Sequence, residues 1–255
     1  MKKPHATSWE NVERWYTACV GEKGHYYHQS VILPGALRLL KISDKSAGSL
    51  LDLGCGQGVL ARALPNAMTY YGVDASSSLI KEAKKRNQRP NAHFTAADVA
   101  KKLPLEKRDF DSACFILSLQ NIEDLPSALK LARFHLRKAG NLLIVLNHPC
   151  FRIPRQSSWG VDPANQLQYR RINRYLTPMQ IPIQMHPSQD QPATVTLSFH
   201  HPLSDYARYL HEAGFIIETM EEWCSDKKSE GAKAKMEDRA RREIPLFLAI
   251  LAQSF

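Results

Sequence analysis

The chain has 255 residues, a length that suits one large α/β domain carrying insertions better than two independent domains. Hydrophobic residues make up 44% and charged residues 23%, enough apolar material for a buried sheet flanked by helices, and no apolar run approaches the ~20 residues that a membrane span needs. A formal charge of +9 keeps nucleic acid and acidic small molecules open as partners, but the lysines and arginines lack the interleaved aromatics of single-strand binders, and a solvated helix face is the commoner meaning of such runs.

In chain order, SLLDL (49–53) predicts a strand that breaks into Gly54-Cys55-Gly56-Gln57-Gly58, followed by a helix with Val59, Leu60, Ala63 and Leu64 on one side. TYYGV (69–73) predicts a second strand ending at Asp74. Ser76 to Ser78 cap the next helix, which runs to about Arg89 before Pro90 stops it. A third strand at 92–95 leads to Asp98, and Asp111–Leu119 is a continuous apolar run suited to a strand buried on both faces. The pattern then gives a helix over 125–138, ending at Ala139-Gly140 with Arg137 and Lys138 in its last turn, and a fifth strand over Leu142–Leu146. Strands alternating with helices at this spacing argue for an α/β fold with a parallel, doubly wound sheet.

Residues 149–190 break this rhythm: rich in Pro, Gln and Arg and without periodicity, they read as an irregular insertion over the sheet edge, of a length that tends to be functional. TVTLSFHH (194–201) reads as a strand, followed by a helix over 203–213 capped at Gly214, a strand at 215–220, a solvated charged stretch at 224–243 and a final strand at 246–252. The whole, 1–255, reads as a single domain. The five cysteines stand apart from one another with no C-x-x-C pair, and no apolar stretch follows the N-terminal lysines. Reduced thiols, no signal peptide and a soluble, cytoplasmic protein are expected.

The chemistry concentrates in LLDLGCGQGVLARAL (50–64). Glycines at a strand-to-helix turn let backbone approach a ligand where a Cβ would clash. Dinucleotide enzymes use G-x-G-x-x-G there; this chain has G-x-G-x-G, and Asp52 at the strand end suits a cationic ligand better than a pyrophosphate. Asp74 ends the second strand, where a carboxylate can accept both hydroxyls of a ribose, and Asp98 follows the third. Each acid alone would read as a cap or a surface loop; together they mark the carboxyl edge of the sheet, where open α/β sheets bind ligands.

Residues 50–122 resemble the cofactor site of class I S-adenosylmethionine-dependent methyltransferases, most closely the small-molecule branch that includes the ubiquinone and menaquinone biosynthesis enzymes. Asp52, Gly54, Gly56 and Gly58 match the first motif. Asp74, with Ala75 beside it, matches the ribose-binding acid, and Asp98 with Val99 the adenine-binding pair. Leu119-Gln120-Asn121-Ile122 matches the loop beside the transferring methyl. The resemblance implies S-adenosyl-L-methionine as cofactor and a Rossmann-like, seven-stranded sheet whose last strand is antiparallel, with the insertion after the fifth strand. It also implies methyl transfer to an O, N or C nucleophile of a small, moderately apolar or aromatic acceptor. LQNIED stands where adenine-N6 and glutamine-N5 enzymes carry N/D-P-P-Y/F, which counts against those acceptors. The insertion departs from the quinone enzymes, which puts a quinone acceptor in doubt.

The acceptor site is expected from three segments. By similarity, residues 1–45 form a helical lid that brings Tyr16, Tyr26, Tyr27 and His28; His25 and His28 have no acidic or cysteine neighbour, so no metal is expected. Asn147-His148-Pro149-Cys150-Phe151-Arg152 leaves the fifth strand at the same edge. His148 is the candidate base or orienting group, or else a histidine merely hydrogen-bonded at a strand end, and Asn121, beside the cofactor, is the second catalytic candidate. Phe151 and Arg152 would face an acceptor; Arg152 and Arg155 either hold an acidic acceptor or are simply solvated. Residues 149–201 supply a cap with Trp159, Tyr169, Tyr175, Met179, Met185, His200 and His201. Two rivals stand beside the small-molecule reading: an RNA or protein methyltransferase steered by the basic surface, and a non-catalytic module that only binds the cofactor.

Overall fold

The apolar run at 49–53 becomes β1 (Gly48–Leu53), and three further runs become β2 (Met68–Asp74), β3 (Ala92–Ala96) and β4 (Phe110–Ile116). The computed structural model describes residues 8–21, 23–184 and 195–255; residues 1–7 of the lid segment, residue 22, and 185–194 of the cap, Met185 included, lie outside the described residues. After β5 (Leu136–Asn147) come β6 (Ser157–Asp162), β7 (Leu167–Ile172), β8 (Met179–Gln184), β9 (Val195–His200), β10 (Phe215–Trp223) and β11 (Phe247–Ser254). Seven of these form one sheet in the order β10-β11-β5-β4-β1-β2-β3. The five strands β1 to β5 pair parallel, and β11 runs antiparallel to both of its neighbours. The predicted α/β, Rossmann-like sheet with an antiparallel last strand is therefore the architecture observed.

Two apolar layers hold it. Successive residues of a strand face opposite sides, and here both sides are covered. Leu50, Tyr70, Cys114, Leu143, Val145 and Leu251 point to one side, against Ile32, Leu33 and Leu60. Leu51, Leu53, Phe115, Leu142, Ile144 and Leu248 point to the other, against Leu125, Leu129 and Leu210. Helices α1 (Glu13–Val20), α2 (Leu33–Leu39), α3 (Val59–Ala63), α4 (Ser77–Arg86), α5 (Leu125–His135), α6 (Leu203–Glu212) and α7 (Ala234–Glu243), with short 3-10 turns at Ser8–Val12 and Leu119–Asn121, complete the described regular elements, and a wide turn over His28–Ile32 leads into α2.

Several boundaries differ from the sequence reading. In α3 the buried residues are Val59, Leu60 and Ala61, and Ala63 faces out, because the helix is one short turn pinned at its start by Gly58. Helix α4 is capped as predicted, Ser76 Oγ accepting from Leu79 N–H at 3.1 Å, but it stops at Arg86. Helix α5 ends at His135, so Arg137 and Lys138 belong to β5, and the basic residues of the last turn are Arg133 and His135. The chain turns early because Leu136 pairs with Phe110 ahead of a bulge, and Arg137 Nε meets Asp111 Oδ1 at 2.9 Å. The stretch read as irregular, 149–190, contains the hairpin β6–β7 and the strand β8, which pairs antiparallel with β9. A period of two is present there, with Met179, Ile181 and Ile183 alternating with Gln180, Pro182 and Gln184, but it is brief, and Pro182 and the run Arg170-Arg171 weaken it as a strand signal. No described helix is long and apolar enough to cross a membrane.

Arg89, beyond the end of α4, gathers four carbonyls at the corner between α3 and β2. Its Nη1 donates to Ala61 O (2.5 Å) and Leu64 O (3.0 Å), and its Nη2 to Pro65 O (2.6 Å) and Met68 O (2.9 Å). Arg89→Ala is expected to lower the unfolding free energy in urea titration by about 2 kcal/mol, the usual cost of losing hydrogen bonds to a charged group. An unmoved midpoint would mean that water replaces the guanidinium without loss.

Candidate active site

At the carboxyl edge of the sheet, between β1, β2, β4 and β5, lies a cavity of about 530 Å³. The glycine turn forms its floor. Gly54 N–H and Cys55 N–H both donate to Val73 O, at 2.7 and 3.0 Å, so the end of β1 is folded back onto β2. Gly54 and Gly56 line the cavity with φ of 78° and 54°, the left-handed region that glycine enters at little cost. A Cβ at Gly54 would lie 2.4 Å from the Ser118 side chain, whose Oγ donates to Leu53 O at 2.6 Å. Gly58 sits elsewhere: it starts α3, and a Cβ there would lie 2.7 Å from the Phe94 ring.

Asp74 completes this floor. Its Oδ2 accepts from Gly56 N–H and its Oδ1 from Ser76 N–H, each at 2.9 Å. Burial pushes its pKa up while those two donors hold it down, and Glu10 nearby adds to the rise. An ionised carboxylate has about four acceptor positions, so roughly two remain toward the cavity. Ala75, Val99, Gln120 and Asn121 also line the cavity, Asn121 with its Nδ2 on Leu117 O at 3.2 Å.

Other predicted residues fall outside the lining. Asp98 turns to its own loop, accepting from Ala100 N–H at 2.9 Å and pairing with Lys101 at 3.1 Å. Leu119 is packed in the core beneath. Asp52 lies below the turn, beside a side cavity of about 30 Å³, and accepts from Tyr70 Oη at 2.7 Å and more weakly from Cys114 Sγ at 3.6 Å. Burial pushes the Asp52 carboxyl up to about 6 against those hydrogen bonds.

The lid segment divides. Tyr16 lines the main cavity, edge-on to Trp9 at 5.6 Å between ring centres, with its phenol held well above the usual range by burial. His28 lines it too, and burial together with the neighbouring His25 lowers its pKa to about 4, so the ring is neutral near pH 7. Tyr26 and Tyr27 face away, donating to Asp226 at 3.0 Å and meeting Ser225 Oγ at 2.9 Å.

The segment leaving β5 is arranged differently from the expectation. His148 is fully buried. Its Nδ1 accepts from Cys150 N–H at 3.2 Å, which places the ring proton on Nε2, and Nε2 meets Glu222 Oε1 on β10 at 2.7 Å. Both ring nitrogens are thus engaged away from the cavity, and Phe151 packs on the ring at 4.8 Å. Asn147 and Arg152, on either side, do line the cavity, as do Ile153, Pro154 and Ser157. Trp159 stays on the surface under the Arg170 guanidinium, and Arg155 is exposed. Sequence reading missed Arg170, Ile183, Thr196 and Ser198, which the two hairpins carry onto the cavity wall. The signal available was the Arg-rich run after Trp159, which a solvated face explains equally well.

Comparison with known proteins converges on one family. The model of the methyltransferase domain matches residues 51–144, which contain the glycine turn and Asp74. Residues 51–144 carry a methyltransferase domain. It is 34% identical over 149 residues to a 2-phytyl-1,4-naphtoquinone methyltransferase of Nostoc punctiforme, a match covering 52% of this chain and 64% of that one, just under two thirds of the relative. It is 36% identical over 93 residues to a ubiquinone/menaquinone biosynthesis C-methyltransferase of Desulfotalea psychrophila, covering 35% and 37% of the two chains. An S-adenosylmethionine-dependent methyltransferase structure from Mesorhizobium loti shares the fold with a TM-score of 0.66 and 23% identity, over 88% of this chain and 98% of that one.

The cofactor of the domain family is S-adenosylmethionine, and the floor fits it: Gly54 and Gly56 present backbone to the cavity at positive φ, and Asp74 keeps free acceptor positions at the end of β2.

Two outcomes follow from this geometry. The folded protein keeps the Asp52 proton up to about pH 6, whereas the unfolded chain releases it near the ordinary carboxylate value. Stability is therefore lost as pH rises through that interval. Asp52→Asn removes the loss, so its stability relative to wild type is expected to rise between about pH 4.5 and about pH 7, on the order of 2 kcal/mol by urea titration. A difference independent of pH would mean that the carboxyl is ionised throughout. For His148, the Ala variant is expected to lose about 2 kcal/mol of stability, and the Gln variant, whose amide can still reach Glu222, to recover most of it. Equal losses would show that the imidazole does more than bridge β5 to β10.

Proposed function

We propose that the protein transfers a methyl group from S-adenosylmethionine to an O, N or C nucleophile of a small, moderately apolar acceptor. The observation that carries this reading is the shape of the cavity: a glycine-and-aspartate floor at one end, and at the other a wall of Ile153, Pro154, Ile183, Thr196 and Ser198 supplied by the insertion. A cap that closes over the floor suits a molecule able to enter a cavity of about 530 Å³ rather than a polymer lying across a surface. The quinone methylation in the relatives' names supports the same acceptor class.

Bound there, the cofactor supplies a methyl group on a sulfonium, an activated leaving group. The protein's own residues then have three tasks. Asp74 would accept ribose hydroxyls with the lone pairs that Gly56 and Ser76 leave free, and Ala75, Val99 and Gln120 would hold the nucleoside. Asn121, on the loop after β4, and Asn147, at the end of β5, orient the nucleophile, since alignment within a near-attack geometry supplies much of the rate. Tyr16, His28 and the cap residues exclude water. Asp52 acts from below, fixing the end of β1 through Tyr70. We assign His148 a positioning role, holding Asn147 and Arg152 on either side of it at the cavity wall.

Isothermal titration should give micromolar binding of S-adenosylmethionine and S-adenosylhomocysteine and none of NAD. Asp74→Ala is expected to weaken that binding by ~1–3 kcal/mol through lost hydrogen bonds to the ribose. With the methyl group tritiated, label should enter the small-molecule fraction of a cell extract. Label entering RNA or protein instead would replace the acceptor class, and NAD binding would remove the cofactor assignment.

A further inference from the structure

The acceptor end of the cavity carries a charge that nothing in the proposed methyl transfer uses. Arg152, just after β5, and Arg170, on β7, both line it. Asp74 is the lining carboxylate, and it lies at the other end, with β4 and β1 between β5 and β2 in the sheet order. Among the described residues neither arginine forms an ion pair. Arg170 is nevertheless built into place. Its Nε donates to Phe151 O at 2.7 Å, its Nη2 to Ser157 Oγ at 2.8 Å, and its guanidinium stacks 5.1 Å from the Trp159 ring centre. Ser157 in turn donates to Ile153 O at 2.9 Å, so the hairpin and the segment after β5 hold this guanidinium together. Arg152 remains exposed, as a side chain facing an open cavity does, yet enough protein surrounds it for burial to lower its pKa. Arg170 is lowered by burial and then by Arg152 itself, so the two cations feel each other.

Two guanidiniums held together without a carboxylate cost free energy in the empty protein, and an arriving oxyanion removes that cost. Arginine's planar fork is suited to carboxylate and phosphate oxygens. Beside the pair, Ile153, Pro154 and Ile183 offer apolar surface.

We propose that the acceptor is an amphipathic organic acid whose oxyanion head, a carboxylate or a phosphate, is held by Arg152 and Arg170 while its apolar body lies on Ile153, Pro154 and Ile183. This rests on the methyltransferase reading for what happens at the other end of the molecule.

The test uses the full chain saturated with S-adenosylhomocysteine and titrated with benzoate, phenyl phosphate and the neutral benzamide. At least one anion is expected to bind at least about tenfold tighter than benzamide, the tighter anion identifies the head, and rising salt weakens it. Arg152→Met is expected to lower anion affinity about tenfold or more while leaving S-adenosylhomocysteine affinity unchanged, and Arg152→Lys to retain part of it. Anions that bind no better than benzamide, or an Arg152→Met variant that binds them as wild type does, would overturn the proposal. Failure of S-adenosylhomocysteine to bind would sink the cofactor reading instead, and the same anion titration on the unliganded protein would still decide the arginine pair.

Discussion

The site depends on the Asp74 carboxylate accepting one backbone N–H from each side: Gly56 from the turn after β1, and Ser76 from the start of α4. These bonds lock two loops from neighbouring strands to a common anchor and set the carboxylate's remaining lone pairs toward the cavity. They form only because the turn contains glycines. With Gly54 and Gly56 at positive φ, the chain doubles back on Val73 and presents backbone, not side chains, to the floor. Ser118 fills the space that a Gly54 side chain would occupy, tying the loop after β4 into the same corner.

Beneath the floor, Tyr70 and Asp52 give a second layer of support. A carboxylate enclosed in an apolar core is expensive, and its raised pKa is the measure of that expense. The hydrogen bond from Tyr70 offsets part of it and joins the ends of β1 and β2, whose backbones already pair in register. The acid of the first motif thus lies beneath the glycine turn, outside the lining of the main cavity.

The insertion plays the complementary part. As two antiparallel hairpins it brings Arg170, Ile183, Thr196 and Ser198 opposite the floor. His148 anchors the start of that segment, its ring bridging Cys150 N–H and Glu222, so the chain leaves β5 in a fixed direction. A histidine at that position looks like a base when only its order in the chain is known. Once both nitrogens have partners, its neighbours Asn147 and Arg152 are the groups that reach the cavity.

The sequence by itself determined the sheet, its order of strands and helices, and the cofactor floor. The central strands β1, β4, β5 and β11 are buried on both faces, which demands apolar runs, and the turn between β1 and α3 places glycine at its three positive-φ positions, so both constraints are written locally in residue type. It did not determine the hairpins of the cap, because their strands are six residues each and the brief period of two is weakened as a strand signal by Arg170-Arg171 and Pro182. Nor did it determine where α5 ends, since a helix made of good helix formers yielded to the pairing of Leu136 with Phe110. Which polar residues face the cavity was decided only by tertiary structure. Asp98 and Asp74 are both acids following a strand, yet Asp98 is claimed by Lys101 and its own loop while Asp74 is turned inward by two N–H groups. Arg155 and Arg170 differ likewise: one lies on the surface, the other is held by Phe151 O and Ser157, partners placed beside it by the fold.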